Sequence, residues 1–124
     1  MNQHVLIYDI ETNRIYGVNS DDTRPYCFRI NYSAVLHEFR IVIFGGLDQN
    51  LECLDILDTF DITTYQWNQL TTTGKTPTPR HSHGCIIIRN RMYIIGGINT
   101  QDLFSKENSL NDIYYLDLNN LNWT

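Results

Sequence analysis

Two Gly-Gly pairs, Gly45-Gly46 and Gly96-Gly97, stand 51 residues apart, and each closes a short apolar run. Ile41-Val42-Ile43-Phe44 precedes the first pair and Met92-Tyr93-Ile94-Ile95 the second, with Arg40 and Arg91 at the same offset before them. Carrying the same shift backwards sets Ser33-Ala34-Val35-Leu36 on Gly84-Cys85-Ile86-Ile87 without a gap, and Arg29 on Arg80. A shift that keeps so many positions in phase marks an internal repeat, and a repeat period constrains the fold before any local propensity does.

Downstream of each pair comes a loop, then an apolar segment ending in Asp, then an aromatic residue six positions on. The copies read Thr59-Phe60-Asp61-Ile62 with Trp67, and Tyr115-Leu116-Asp117-Leu118 with Trp123. A partial third copy, Ile7-Tyr8-Asp9-Ile10, has Tyr16 one residue late for the tryptophan position. Asp9, Asp61 and Asp117 are separated by 52 and 56 residues, so the unit is about 50 residues long.

The apolar segments are short, β-branched and aromatic, bounded by Gly, Asn, Asp, Thr and Pro, and show no helical periodicity. They read as strands. An unbroken run such as Ile86-Ile87-Ile88 predicts a strand buried on both faces, since a sheet with one wet face alternates. A blade sandwiched between neighbouring blades meets that condition. The Gly pairs predict a tight or left-handed bend at the strand end with another chain segment packed against it. An indole is the filler expected there, which pairs each Gly-Gly with its downstream Trp.

Arg80-His81-Ser82-His83-Gly84, the apolar strand to Gly96-Gly97, and Tyr115-x-Asp117-x5-Trp123 together resemble a kelch repeat. The resemblance extends over essentially the whole chain and is clearest in the second copy. The first copy departs from it, with Ile30-Asn31-Tyr32-Ser33 in place of the His-Ser-His-Gly segment and no Pro before Arg29. The resemblance implies an all-β chain forming part of a kelch-type β-propeller, about two and a half four-stranded antiparallel blades. Residues 1–23 would be the last two strands of a preceding blade, 24–75 a first full repeat, and 76–124 a second, truncated in its outer strand. Its structural motif residues are Gly45, Gly46, Gly96, Gly97, Arg80, His83, Asp61, Trp67, Tyr115, Asp117 and Trp123. Propellers close with roughly four to eight blades. The chain is therefore expected to be a fragment, its ring completed by further blades in a longer chain or another protomer.

Composition excludes several function classes. With 9 Lys and Arg against 14 Asp and Glu the net charge is -5, the reverse of a nucleic-acid footprint. No apolar run approaches the roughly 18–20 residues that span a bilayer, and Met1-Asn2-Gln3-His4 does not open a secretory signal. Cys27, Cys53 and Cys85 are odd in number and lack CxxC spacing, which suits a reducing, cytoplasmic setting. The triplets Asn31-Tyr32-Ser33 and Asn122-Trp123-Thr124 match the glycosylation acceptor only by coincidence in that setting.

The candidate chemistries fail on spacing. Gly74-Lys75-Thr76 ends like a phosphate-binding loop, but Gln69 stands where the leading Gly is required, and Pro77 and Pro79 follow where a helix should begin. His81 and His83 would share one face of a strand, yet no third ligand stands at metal spacing. His83 occupies the kelch motif's own histidine position. Asp55, Asp58 and Asp61 recur every third residue among Ile56, Leu57 and Phe60, unlike the alternate oxygens of a calcium loop. No catalytic, cofactor-binding or metal residues are assigned.

What remains is a binding surface. The second repeat's loop between its second and third strands, 98–111, is five residues longer than its counterpart and carries Leu103-Phe104 among polar residues. Long loops bearing an aromatic are where a scaffold meets its partners. The candidate partner contacts are Asn99, Gln101, Asp102, Leu103, Phe104, Lys106 and Arg80. The resemblance implies a non-enzymatic protein-protein interaction module, an adaptor or scaffold with a protein partner. The alternative is a fragment of a propeller metalloenzyme such as a copper-dependent sugar oxidase.

Overall fold

The computed structural model describes residues 4–19, 29–100 and 108–124. Every regular element among them is a strand, and the strands form three sheets. An antiparallel hairpin joins β1 (His4–Asp9) to β2 (Arg14–Asn19). The first blade is a meander of β3 (Ser33–His37), β4 (Arg40–Phe44), β5 (Leu57–Asp61) and β6 (Trp67–Gln69). The second contains β8 (Gly84–Ile88), β9 (Arg91–Ile95), β10 (Ile113–Asp117) and β11 (Asn122–Trp123), also antiparallel in order. The sheets are all β, as the resemblance requires, and the ring is not closed.

Register follows the repeat. Phe44 pairs with Ser33 and Leu57 in the first blade, as Ile95 does with Gly84 and Ile113 in the second. The inner two strands are thus related by 51 residues and the third strands by 56. The five-residue difference falls in the connection after Gly97.

The corners repeat as faithfully as the strands. Among the described residues, seven of the eight non-glycine residues with positive φ lie on the period: Asn31 with Ser82, Glu38 with Arg89, and Asn13 with Tyr65 and Leu121. A left-handed L-residue costs about 1–2 kcal/mol, so its recurrence means that the corner geometry outweighs side-chain preference. At Ser82 and Asn31 the bend also ends pairing, and β8 and β3 begin two residues later. The repeating aspartates organise the outer corners. Asp61 Oδ1 accepts the amides of Thr63 (2.8 Å) and Thr64 (3.1 Å), and Asp9 and Asp117 do the same for Glu11 and Asn119. The Thr63 hydroxyl and amide hold the Asp61 carboxyl below its ordinary pKa. Tyr65 and Leu121 then donate their amides back to the Asp61 and Asp117 carbonyls at 2.8 Å.

The core lies between the blades. Val42, Phe44 and Leu57 face Met92, Ile94, Leu116 and Trp123, each such side chain contributing about 1.5–3 kcal/mol by leaving water. Trp123 packs on Phe44 at 5.2 Å between ring centroids, and Trp67 on Phe60 within its own blade at 4.9 Å.

Burial on both faces is found in β5, where Leu57, Asp58, Thr59 and Phe60 are all buried, but not in β8. There Ile86 and Ile88 are 50% and 52% exposed. Cys85, Ile94, Met92 and Leu116 share the parity that packs on the first blade. The opposite parity carries Ile86, Ile88, Ile95 and Ile113 to solvent beside a Tyr93–Tyr115 ring pair, with the Arg91 guanidinium 4.7 Å over Tyr115. The isoleucine run thus has one wet face here because, among the described residues, no second sheet lies against it.

One strand escapes the sequence pattern altogether. β7 (Thr73–Gly74), in the linker before the second blade, pairs in parallel with β11, Thr73 with Asn122 and Gly74 with Trp123. It makes the second sheet five-stranded.

Candidate partner-binding face

The β4–β5 connection folds tightly on itself. Leu47 bridges both Ile30 and Cys53. Asp48 Oδ1 accepts the amides of Asn50 (2.8 Å) and Glu52 (3.0 Å), and the Leu51 amide donates to the Asp48 carbonyl at 3.0 Å. This holds Leu51 left-handed at φ 62 with its side chain 58% exposed at the loop tip. Sequence reasoning missed Leu51; an apolar residue in a run of Asp, Gln, Asn and Glu was the available sign.

The β9–β10 connection is built alike at its base. Ile98 bridges His81 and Ser109, the Asn99 amide donates to the Asn108 carbonyl at 3.0 Å, and that of Leu110 to Gly97 at 2.8 Å. The last bond repeats that from Leu54 to Gly46, 2.9 Å, in the first blade. The two connections are stitched together. The Thr100 amide donates to Cys53 Sγ at 3.3 Å, the Thr100 hydroxyl is 3.2 Å from the same sulfur, and Cys53 approaches the Ile98 carbonyl at 3.8 Å. Asn99 therefore stands at the base of this face. Gln101, Asp102, Leu103, Phe104 and Lys106 lie outside the described residues.

Arg80 sits elsewhere than a partner contact needs. Its side chain has no exposed surface, and the guanidinium is held by Asp112 (2.5 and 3.0 Å) and the Gly96 carbonyl (2.8 Å), while Nε donates to Thr78 (3.0 Å). Its place among the exposed contacts is corrected on that ground; the motif's arginine ties the inner strand to the strand ends beside it. Arg80 in turn lowers the pKa of Asp112. Its counterpart Arg29 pairs with Asp58 at 2.6 Å. These acids are not equivalent: by register Asp58 matches Tyr114, whose ring lies 5.6 Å from the Arg80 guanidinium carbon, and Asp112 matches Ile56.

The Gly pairs bend left-handed, with φ 66 and 97 at Gly45 and Gly46 and 59 and 101 at Gly96 and Gly97. A chain segment does pack against them, but the filler is not an indole. A Cβ on Gly45 would lie 2.6 Å from the Arg80 carbonyl and 2.8 Å from His83 Cε1, and one on Gly97 2.8 Å from the His81 carbonyl and His83 Cβ. His83 thus occupies the space between the pairs of adjacent blades. Its Nε2 is 2.6 Å from Ser33 Oγ and its ring edge meets Phe44 at 5.6 Å. Burial, then the charge of Arg80 and His81, pushes its pKa down to about 4. His81 is buried with Nδ1 2.9 Å from Ser82 Oγ. Among the described residues no three His, Cys, Asp or Glu side chains gather as metal ligands. Gly74 is consumed by the parallel strand pair, with Trp123 backbone against it.

Comparison with known proteins agrees with this architecture. The family described as the KLHDC2/KLHL20/DRC7 Kelch-repeats domain matches residues 1–124. Kelch domain-containing protein 3 of Homo sapiens is 33% identical over 101 residues, covering 81% of this chain and 25% of that protein. Acyl-CoA-binding domain-containing protein 5 of Arabidopsis thaliana is 34% identical over 110 residues, 87% of this chain and 16% of that protein. Tip elongation aberrant protein 1 of Schizosaccharomyces pombe is 31% identical over 83 residues, 67% of this chain and 7% of that protein. The chain spans a quarter or less of the length of these curated relatives.

Proposed function

The chain belongs to the kelch-repeat domain family, and on that premise we propose that it is a non-enzymatic adaptor or scaffold segment that binds a protein partner through its loop face in the cytoplasm. The observation that carries this reading is the Cys53–Thr100 stitch, which joins the second-to-third-strand connections of adjacent blades. Connections fixed to each other at their bases are pre-organised there, and rigid presentation lowers the entropy lost on binding. Leu51, exposed at one tip, supplies an apolar anchor, and Leu103-Phe104 in the longer loop supply a second and third. Further blades, from the same longer chain or another protomer, complete the ring.

The test is affinity capture with the wild-type protein and with Leu51→Ala and Leu103→Ala/Phe104→Ala variants, alongside thermal unfolding. The reading expects specific partners to be lost from the variants at unchanged melting temperature. A loss of stability instead would make these side chains part of the core, and stoichiometric copper or iron in the purified full-length protein would establish a metalloenzyme.

A further inference from the structure

The two blades touch along a seam of main-chain bonds. The Gly46 amide donates to the Arg80 carbonyl (2.8 Å), that of Arg80 to Leu54 (3.1 Å), and that of Ser82 to Asn31 (2.9 Å). Side-chain bonds complete it: His83 to Ser33 near the core, across 50 residues of sequence, His37 to Asn90 at the turns, and Cys53 to Thr100 on the loop face. No equivalent of the His83–Ser33 bond can form on the outer side of the second blade, because the residue in register with Ser33 is Gly84, which has no hydroxyl.

The polar groups around His83 fix how it must be protonated. Nε2 faces the Ser33 hydroxyl at 2.6 Å, whereas Nδ1 has no acceptor within reach. A buried N–H without an acceptor is rarer than a buried lone pair without a donor, so the hydrogen sits on Nε2 and Ser33 Oγ accepts it. The other ring nitrogen, Nδ1, is then a lone pair. It is buried and has no hydrogen-bond partner. The groups packed around the ring from β3, β4 and the Gly97 corner are Ser33, Phe44, Gly45 and Gly97, none of them charged. The titratable neighbours on its own segment are Cys85, His81 and the cationic Arg80. A proton added to Nδ1 would be a buried donor with no acceptor, beside a positive charge.

We propose that His83 is a proton-sensitive latch between the two blades: as the neutral Nε2–H tautomer it closes the seam on Ser33, and protonation at Nδ1 opens it there. The sign follows from linkage. The pKa, about 4 in the closed seam against 6.5 for a free imidazole, means that the opened form binds the extra proton. Closure is fully favoured above pH about 6.5 and weakens as pH falls from there towards 4. Each blade keeps its own internal strand pairing, so the seam should part before the sheets melt.

Two measurements on the full chain test this. Long-range ¹H–¹⁵N spectra of His83 should show the Nε2–H tautomer at neutral pH and titration below pH 5. Hydrogen-exchange protection factors for Gly46 and Ser82 should fall at least tenfold between pH 6.5 and 4.5, while amides paired within β3–β5 keep theirs. His83→Gln, whose amide can still donate to Ser33, should flatten that pH dependence; Ser33→Ala should lower seam protection at every pH. An Nδ1–H tautomer, a titration at 6.5 or above, or joint loss of seam and within-blade protection would overturn the proposal, and the wild-type spectra decide even if a variant does not fold.

Discussion

Arg80 and Asp112 form a two-pronged ion pair at 2.5 and 3.0 Å in which the cation is wholly buried and the carboxylate is 32% exposed. The burden of burial therefore rests on the arginine, and the two truncations should differ. Asp112→Ala leaves the guanidinium uncompensated and should cost about 3 kcal/mol. Arg80→Met removes the charge together with its desolvation and should cost clearly less. Urea midpoints at constant slope measure both; equal losses, or the reverse order, would show that the carboxylate and not the cation needs the partner. Because Arg80 lowers the Asp112 pKa, the pair's contribution is present above the free value of 3.8 and fades as pH falls through the folded one.

Arg89 opens the two-residue β8–β9 turn at φ 55, as Glu38 does between β3 and β4. A first turn residue with positive φ is the position glycine fills at no steric cost. Both side chains are exposed. Arg89→Gly and Glu38→Gly should each raise stability by about 0.5–1 kcal/mol. A lower melting temperature for either would mean that its side chain holds a contact worth more than the relieved backbone.

The Gly pairs are not interchangeable. A Cβ on Gly96 would meet only the Leu110 carbonyl, at 3.2 Å, whereas on Gly45 it would stand 2.6 Å from the Arg80 carbonyl. Gly96→Ala should cost about 1–2 kcal/mol through its backbone angle alone. Gly45→Ala should add a further ~1–3 kcal/mol of overpacking and loosen the seam, which exchange at the Gly46 amide would report. Comparable costs at the two sites would refute the packing argument.

Parity within the second blade can be tested with one charge. Ile86→Lys places an ammonium on the half-exposed face and should change the stability of this chain by less than about 0.5 kcal/mol. Ile94→Lys, on the adjacent strand but on its core-facing side, should cost more than about 4 kcal/mol or prevent folding. In a longer protein whose next blade covers Ile86, the first substitution should become costly too.

The repeat itself was fully readable. The Gly45–Gly96 spacing, the Asp9/Asp61/Asp117 series and the extra five residues after Gly97 all correspond to register, corner or loop in the structure. The residues that defeated the reading share a cause: their roles depend on what lies beside them in space. Ile86-Ile87-Ile88 reads as doubly buried because composition records what a strand tolerates, not whether a neighbour is present. Nothing local in Arg80 distinguishes a buried guanidinium from an exposed one; Asp112, 32 residues on, decides it. The left-handed corners at Glu38 and Arg89 carry no glycine to announce them. The conspicuous tryptophans are the fillers the sequence offers for the Gly pairs, while His83, in the blade after Gly45, occupies the space.

The parallel pairing of Thr73–Gly74 with Asn122–Trp123 puts the structural unit out of phase with the sequence period. During synthesis the earliest strand of the second sheet emerges almost fifty residues before the strand it pairs with. Thr73–Gly74 must wait, unpaired, until the rest of the blade has formed. The blade is thus laced shut by its last residues, and cutting the chain between Lys75 and Thr76 would separate a sheet from its own edge.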